Sequence, residues 1–173
     1  MKEPVAAMNI KVTLLGLPIH SKTWRRLRVP ISIRYDQLEI LIQLAFGIEE
    51  PALYEFTPFE KQIQYVNHLV DPSDNFDTNP ILADKGYPYP HLIKSSIMLD
   101  VGSDWEFDIK LESTLSFHSI KNLQLPYCIV GSDDENEKSV PQMHITAINK
   151  NYALWARAGE RMVPGSSHWP FHD

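Results

Sequence analysis

The sequence has almost no cysteine and no long apolar run. Cys128 is the single cysteine among 173 residues, which excludes an internal disulfide. No stretch approaches the roughly 20 consecutive apolar residues that a membrane-spanning helix needs. Residues 1–8 also lack the basic region and the following apolar run that mark a secretory signal. These absences predict a cytoplasmic protein without a membrane segment.

Motifs for catalysis and for cofactor binding are also missing. The sequence has no glycine-rich phosphate loop, no serine or cysteine in the setting of a catalytic triad, and no cysteine pair for zinc. Among the seven histidines only His168 and His172 have a suggestive spacing. Pro170 lies between them and prevents the regular helix that would bring both to one metal. We therefore expect no cofactor and no metal, and the sequence favours a non-enzymatic role.

The charge is divided unevenly along the chain. The net charge is −6, yet the residues through Tyr35 contain seven lysines and arginines against Glu3 alone. The remaining residues contain nine basic and 21 acidic side chains. This division permits a local basic patch on an acidic body. It argues against broad, non-specific binding of nucleic acid, because phosphates would meet a mostly repulsive surface.

Hydrophobic patterning predicts one mixed α+β domain, and the apolar content of 43% is enough for a packed core. Leu38, Leu41 and Phe46 repeat at helical spacing, and Gly47 supplies a C-terminal stop, so 36–46 is the main predicted helix. The predicted strands are 9–17, 24–33, 53–59, 63–70, 91–101, 104–117 and 123–130, with an edge strand at 142–148. The other predictions are a short helix at 151–162, an irregular connection at 71–90, an acidic loop at 132–139 and an irregular end at 163–173.

The first candidate site lies on the second predicted strand, at Trp24, Arg25, Arg26 and Arg28. Guanidinium groups match the geometry of phosphate, and a tryptophan ring can stack on a base or another ring. The alternative is structural. On that interpretation the arginines pair across the sheet with carboxylates such as Glu106, Asp108 and Glu112.

The second candidate site lies beside the predicted turn at Gly102, and its residues are Asp100, Asp104, Glu106 and Asp108 with Trp105. Carboxylates brought together by a turn could bind a divalent cation or carry out acid–base chemistry. The alternative interpretation is a solvated face of the sheet, with Trp105 in the core. The segment lacks the spacing and the glycine position of a calcium loop.

Three stretches of the sequence follow the pattern of one known family. They are Lys11–Ile19 with Thr23–Pro30, Tyr35–Gly47 with Leu53–Phe56, and Leu99–Glu112 with Leu125–Gly131. On these stretches the chain resembles the plasmid pRiA4b ORF-3-like family, whose prokaryotic members are found on plasmids and next to transposable elements. Two departures stand out: Val101 replaces a phenylalanine of the family pattern, and the acidic loop at 132–139 replaces a Pro-Pro-Glu-Asp stretch.

The resemblance implies an α+β fold with a curved, mostly antiparallel sheet that partly wraps around the 36–46 helix. It implies a family domain at 9–131, with 132–173 as an acidic loop and a variable C-terminal extension packed on that domain or trailing from it. It implies no reaction, because the family has no established activity.

We therefore expect a non-enzymatic binding or accessory module, linked to mobile elements, that contacts a protein or nucleic-acid partner and no membrane. Two alternatives stay open. One is a hydrolase that depends on carboxylates or on a metal. The other is a structural protein that forms oligomers through an exposed sheet edge.

Overall fold

The computed structural model describes residues 4–15, 23–58, 64–66, 81–83, 86–102, 105–134 and 141–171. The strands in these ranges are β1 (Val5–Leu15), β2 (Trp24–Pro30), β3 (Tyr54–Pro58), β4 (Gln64–Val66), β5 (Ile81–Ala83), β6 (Ile97–Val101), β7 (Trp105–Ser116) and β8 (Tyr127–Ser132). The helices are α1 (Tyr35–Phe46), α2 (Tyr89–Leu92) and α3 (Ile145–Ala158), and a short 3-10 helix (Gly159–Arg161) follows α3.

The eight described strands form one sheet in the order β5-β4-β3-β6-β7-β1-β2-β8. All neighbouring strands run antiparallel except β4 and β5, which are parallel. Register shifts interrupt the pairing of β1 with β7 and of β2 with β8, and such bulges increase the local twist of a sheet. The predicted α+β class with a mostly antiparallel sheet is confirmed.

The main helix α1 matches the predicted helix at 36–46. Gly47 ends it with a left-handed backbone, at φ 70°, which glycine adopts without a steric penalty. Ten of its 12 residues are buried, and a helix buried on nearly all sides needs cover on more than one face. The sheet supplies one cover: the ring of Phe46 lies 4.7 Å from that of Phe107 on β7.

The C-terminal part of the chain supplies the second cover of α1. Tyr152 of α3 is fully buried, and its hydroxyl donates a hydrogen bond of 2.7 Å to the carbonyl of Leu41. Trp169 is 2% exposed and donates from Nε1 to the carbonyl of Glu49 at 2.8 Å. Residues beyond 141 therefore contribute to the same core. A domain boundary between residues 131 and 132 stays a prediction.

Some predicted elements were wrong. The edge strand at 142–148 is not formed, because α3 begins at Ile145 and replaces the shorter helix predicted at 151–162. The buried residues Ile148, Tyr152 and Trp155 follow helical spacing, and this pattern extends back through the supposed strand.

The irregular connection predicted at 71–90 contains structure in its described part. Strand β5 lies within it, and α2 begins there at Tyr89. Residues 71–80 lie outside the described residues. The next strand starts at Ile97 rather than at 91, because residues 91 and 92 belong to α2. The strand predicted at 123–130 is the later segment Tyr127–Ser132.

Cys128 faces the core on β8 and is fully buried. Burial raises the pKa of its thiol to about 11, against a smaller lowering by the charge of Arg25. The neutral thiol is therefore the form present at neutral pH, and the thiolate is the reactive form.

We expect Cys128 of the folded protein to be unreactive toward a disulfide reagent such as DTNB at pH 8. The same thiol should react completely once guanidinium chloride unfolds the chain, because its pKa returns to about 8.5 and the side chain becomes accessible. Absorbance of the released thiol measures both rates. Equal rates in the folded and unfolded protein would contradict the buried position.

Candidate functional site

The two faces of the sheet differ in chemistry, and β2 shows how the sequence divides them. Successive side chains of a strand point to opposite faces. Arg25, Leu27 and Val29 are buried on the inner face, toward α1, whereas Trp24 and Arg26 are partly exposed on the other. We call that second face the outer face of the sheet.

Arg25 does not reach the outer face, because its side chain is fully buried against α1. Its Nε donates to the carbonyl of Ala45 at 3.0 Å, and Nη1 donates to the carbonyls of Trp24 at 3.0 Å and Ser132 at 3.1 Å. Its Nη2 lies 2.8 Å from Oδ1 of Asp133. No hydrogen bond joins these two atoms, so the contact is an ion pair without hydrogen-bond geometry. Arg25 therefore connects α1, β2 and β8.

Gly131 on β8 leaves the space that Arg25 occupies. A Cβ atom at position 131 would lie 2.6 Å from Sδ of Met143, 2.7 Å from the carbonyl oxygen of Trp24 and 2.9 Å from Cδ of Arg25. Asp133 also accepts a hydrogen bond of 2.7 Å from the backbone N–H of Met143. The segment that leads into α3 is therefore held next to the ion pair of Arg25 and Asp133.

Cations and aromatic rings adjoin on the outer face of β1, β2 and β8. Nζ of Lys11 lies 4.7 Å, and Cζ of Arg26 5.2 Å, from the centroid of the Trp24 ring. Cζ of Arg28 lies 4.9 Å from the ring centroid of Tyr127. These are cation–π distances. We call these five residues the basic-aromatic strip.

One cation of the basic-aromatic strip is paired across the sheet. Arg26 donates to both carboxylate oxygens of Glu112, at 2.5 and 3.0 Å. These hydrogen bonds lower the pKa of Glu112 and raise the pKa of Arg26. Arg28 instead donates to the backbone carbonyl of Gln124, at 3.2 and 3.3 Å. The pairing that the sequence suggested as an alternative is therefore present for Arg26 with Glu112.

Carboxylates adjoin in the other half of the outer face. Asp100 on β6 lies opposite Glu55 of β3 on one side and opposite Glu106 of β7 on the other. Side chains at directly opposite positions have Cβ atoms about 5 Å apart. Partial burial raises the pKa of Asp100. We call these three residues the acidic row.

The remaining residues of the predicted turn site lie elsewhere. Asp104 lies outside the described residues. Trp105 packs against the edge of the core and, with Gly102 and Pro141, lines a cavity of about 750 Å³. Within the described part of the chain, no three His, Cys, Asp or Glu side chains are grouped to hold a metal ion.

The predicted site residues do not form one site. Strands β7 and β1 separate Asp100 on β6 from Trp24, Arg26 and Arg28 on β2. The three strand spacings from β6 to β2, of about 4.8 Å each, place these two groups of residues roughly 14 Å apart. Arg25 and Trp105 belong to the inner side. Binding by any of the predicted site residues stays a prediction.

One edge of the sheet is covered by a side chain of α3. The amide of Asn149 accepts a hydrogen bond of 2.6 Å from the N–H of Cys128 and donates one of 2.9 Å to its carbonyl. It thereby takes the place of a neighbouring strand near the start of β8, at the second residue of that strand. An occupied edge is less available for pairing with another chain.

A cavity that the sequence did not reveal lies between α1 and the end of α3. Its volume is about 310 Å³, and its walls include Glu39, Ile40, Tyr54, Trp155 and Met162. Glu39 is 2% exposed. The one signal of this cavity in the sequence was Glu39, a carboxylate among the apolar positions of α1, since buried glutamates are rare.

These observations define the class of the protein. It has an α+β fold with an open, mostly antiparallel sheet that is covered on one face by helices. The sequence pattern of the plasmid pRiA4b ORF-3-like proteins matches residues 6–143. The chain belongs to the plasmid pRiA4b ORF-3-like family.

A solved structure supports the fold. The crystal structure of the protein of unknown function MM3350 from Methanosarcina mazei Go1 is 14% identical in sequence, covers 94% of each chain and gives a TM-score of 0.57. At this identity the likeness concerns the fold alone. No curated protein matches the sequence. Among the described residues, no helix is long and apolar enough to span a bilayer.

Arg25 and Arg26 are neighbours on one strand and make a matched pair for mutation. Arg25→Met should lower the free energy of unfolding by about 3–5 kcal/mol, because it leaves a partly buried carboxylate uncompensated and removes the donors to three carbonyls. Arg26→Met breaks an exposed ion pair and should cost about 0–1 kcal/mol. Urea unfolding measures both. Equal losses would contradict a structural role specific to Arg25.

Proposed function

We propose that this protein is a non-enzymatic binding module whose basic-aromatic strip binds a short, single-stranded segment of nucleic acid. The supporting observation is the grouping of Lys11, Arg26 and Arg28 with two aromatic rings on one outer face. Backbone phosphates bind to such cations, and bases stack on aromatic rings and on guanidinium planes.

The surrounding charge restricts the size of the binding surface. Glu112 neutralises much of the charge of Arg26, and the acidic row lies on the same face of the sheet. A long polyanion crossing that face would meet both attraction and repulsion. The strip therefore fits a ligand of a few nucleotides, and broad binding to duplex nucleic acid is not expected.

We expect the protein to bind a fluorescein-labelled oligothymidylate of about eight nucleotides, a length within the usual range of single-strand sites. With about two phosphate contacts, from Lys11 and Arg28, the logarithm of the binding constant should fall with the logarithm of salt concentration with a slope of about −1.4. Fluorescence anisotropy across a salt series measures both. The double variant Lys11→Gln/Arg28→Gln should bind about tenfold more weakly and lose most of the salt dependence, because it removes the two cations of the strip that no carboxylate pairs with.

The matched control is Arg157→Gln/Arg161→Gln, which removes the same charge from exposed positions at the C-terminal end of α3 and in the 3-10 helix after it, on the helical side of the sheet. This control should change the dissociation constant by less than about twofold, since distant exposed charges are screened. The proposal fails if the unmodified protein does not bind the oligonucleotide. It fails equally if the control weakens binding as much as the strip variant.

A carboxylate- or metal-dependent hydrolase is a second candidate, and the acidic row is the observation that favours it. Asp100 lies opposite Glu106 and Glu55 on the neighbouring strands, and partial burial raises the pKa of Asp100. A carboxyl group with a raised pKa suits general acid–base chemistry.

Metal dependence of this candidate can be tested by thermal denaturation. If one or two carboxylates of the acidic row bind a catalytic cation together with water, Mg²⁺, Mn²⁺ or Zn²⁺ at about 100 times its Kd should stabilise the folded protein by about 2.7 kcal/mol and raise Tm. The shift should disappear in Asp100→Asn. A Tm unmoved by all three cations speaks against metal-dependent chemistry.

Three features of the expected biology stay predictions: the link to plasmids and transposable elements, the cytoplasmic location, and a possible oligomer. The cover that Asn149 provides at β8 disfavours an oligomer formed through that edge.

A further inference from the structure

The outer face of the sheet carries opposite charges on its two sides. The acidic row lies on β3, β6 and β7, and the basic-aromatic strip lies on β1, β2 and β8. None of the eight side chains in these two groups is buried, whereas α1 and α3 cover the inner face. One partly exposed surface therefore presents carboxylates on one side and cations with two aromatic rings on the other.

The charges between these two groups are paired within the chain. Nζ of Lys110 lies 3.7 Å from Oδ2 of Asp108 on β7, and Arg26 is paired with Glu112. These pairs neutralise part of the middle of the outer face. The separated charges are left toward its two sides.

A second copy of the chain is complementary to such a face. A two-fold axis in the plane of contact, midway between the two groups, places the strip of each copy on the acidic row of the other, so every contact forms twice. Because each chain has a net charge of −6, two copies repel each other in most orientations. Complementary charges then favour the orientation in which cations meet carboxylates.

The composition of the strip also suits a protein interface. Its side chains include Trp24 and Tyr127 beside Arg26 and Arg28, and tryptophan, tyrosine and arginine are the residues that contribute most to the energy of interfaces. Aromatic rings supply apolar contact area, which ion pairs alone do not.

The size of the outer face indicates how strong such a contact can be. The six strands from β3 to β8 lie about 4.8 Å apart, and the seven residues of β2 rise about 3.4 Å each, so the face measures about 24 by 24 Å. Two copies would bury roughly 1,200 Å² in total, at the lower limit of stable specific interfaces. A contact of this size fits a weak, reversible dimer with a Kd on the order of 10 μM.

We propose that the protein forms a weak, symmetric dimer in which the outer faces of two copies pack together, the strip of one on the acidic row of the other. The dimer covers the strip, so a second copy and an oligonucleotide would exclude each other. The inference does not rest on the proposed function, because it concerns contacts between copies of the protein alone.

Sedimentation velocity of the unmodified protein, without nucleic acid, is the first test. The concentration series runs from about 1 to 100 μM, tenfold to either side of the expected Kd. The weight-average mass should rise from near 19.9 kDa toward twice that value. A monomer at every concentration would overturn the proposal.

Two charge reversals then locate the contact. The strip reversal, Lys11→Glu/Arg28→Glu, makes both sides of the face acidic, and the row reversal, Glu55→Lys/Glu106→Lys, makes both sides basic. Each variant alone should self-associate at least about tenfold more weakly, because like charges then face each other. An equimolar mixture should form a one-to-one dimer, because every contact in it pairs opposite charges.

The matched control is Arg157→Glu/Arg161→Glu, which changes the charge as much as the strip reversal does but at exposed positions on the helical side. It should dimerise within about twofold of the unmodified protein, since distant exposed charges are screened. Mixed with the row reversal, it should form mixed dimers more weakly than the strip reversal does, because only half of the contacts then pair opposite charges.

The variants decide between this contact and another one. A dimer that both reversals leave intact lies on a different surface and contradicts the proposal, and so does a mixture of the two folded reversals that stays monomeric. If circular dichroism shows that a double variant is unfolded, Arg28→Glu and Arg157→Glu repeat the comparison with one exchange each. Equal effects of these two on self-association would also contradict it.

The outcome is distinguishable from that of the oligonucleotide experiment. A protein that binds oligothymidylate and stays monomeric throughout the series overturns the dimer alone. A protein that dimerises as expected and does not bind oligothymidylate overturns the proposed function alone.

Discussion

The buried guanidinium of Arg25 is the interaction on which the arrangement of the other elements depends. It donates to the end of α1 at Ala45 and to the edge strand at Ser132, and it pairs with Asp133. Asp133 in turn binds the chain just before α3. A charge removed from water is stable only when its hydrogen bonds and its countercharge are supplied, so these segments are held in one relative position.

The position of Arg25 also determines which residues of β2 lie on the outer face. Because side chains alternate along β2, placing Arg25 inside obliges Trp24 and Arg26 to lie outside. The interior arginine therefore determines where the cations and rings of the basic-aromatic strip lie. Gly131 is part of this arrangement, since any side chain there would collide with Arg25 and with the backbone of β2.

Sequence patterning predicted the elements whose apolar residues have one clear period. The helix at 36–46 and the alternating strand that became β7 were recognised in this way. It failed at α3, where Ile148 belongs to a helical stripe that was divided between a strand and a shorter helix. Sequence patterning also failed to show that Arg25 is buried while its neighbouring arginines are not. The burial of Arg25 depends on Asp133 and Ser132, more than 100 residues away, and local periodicity contains no information about such partners.

The charge division along the sequence has a different meaning once the fold is known. Two of the basic residues in the first 35 positions do not contribute a free charge to the surface, because Arg25 is buried in the core and Arg34 pairs with Asp36. The basic surface is therefore smaller than the number of lysines and arginines in that segment implies.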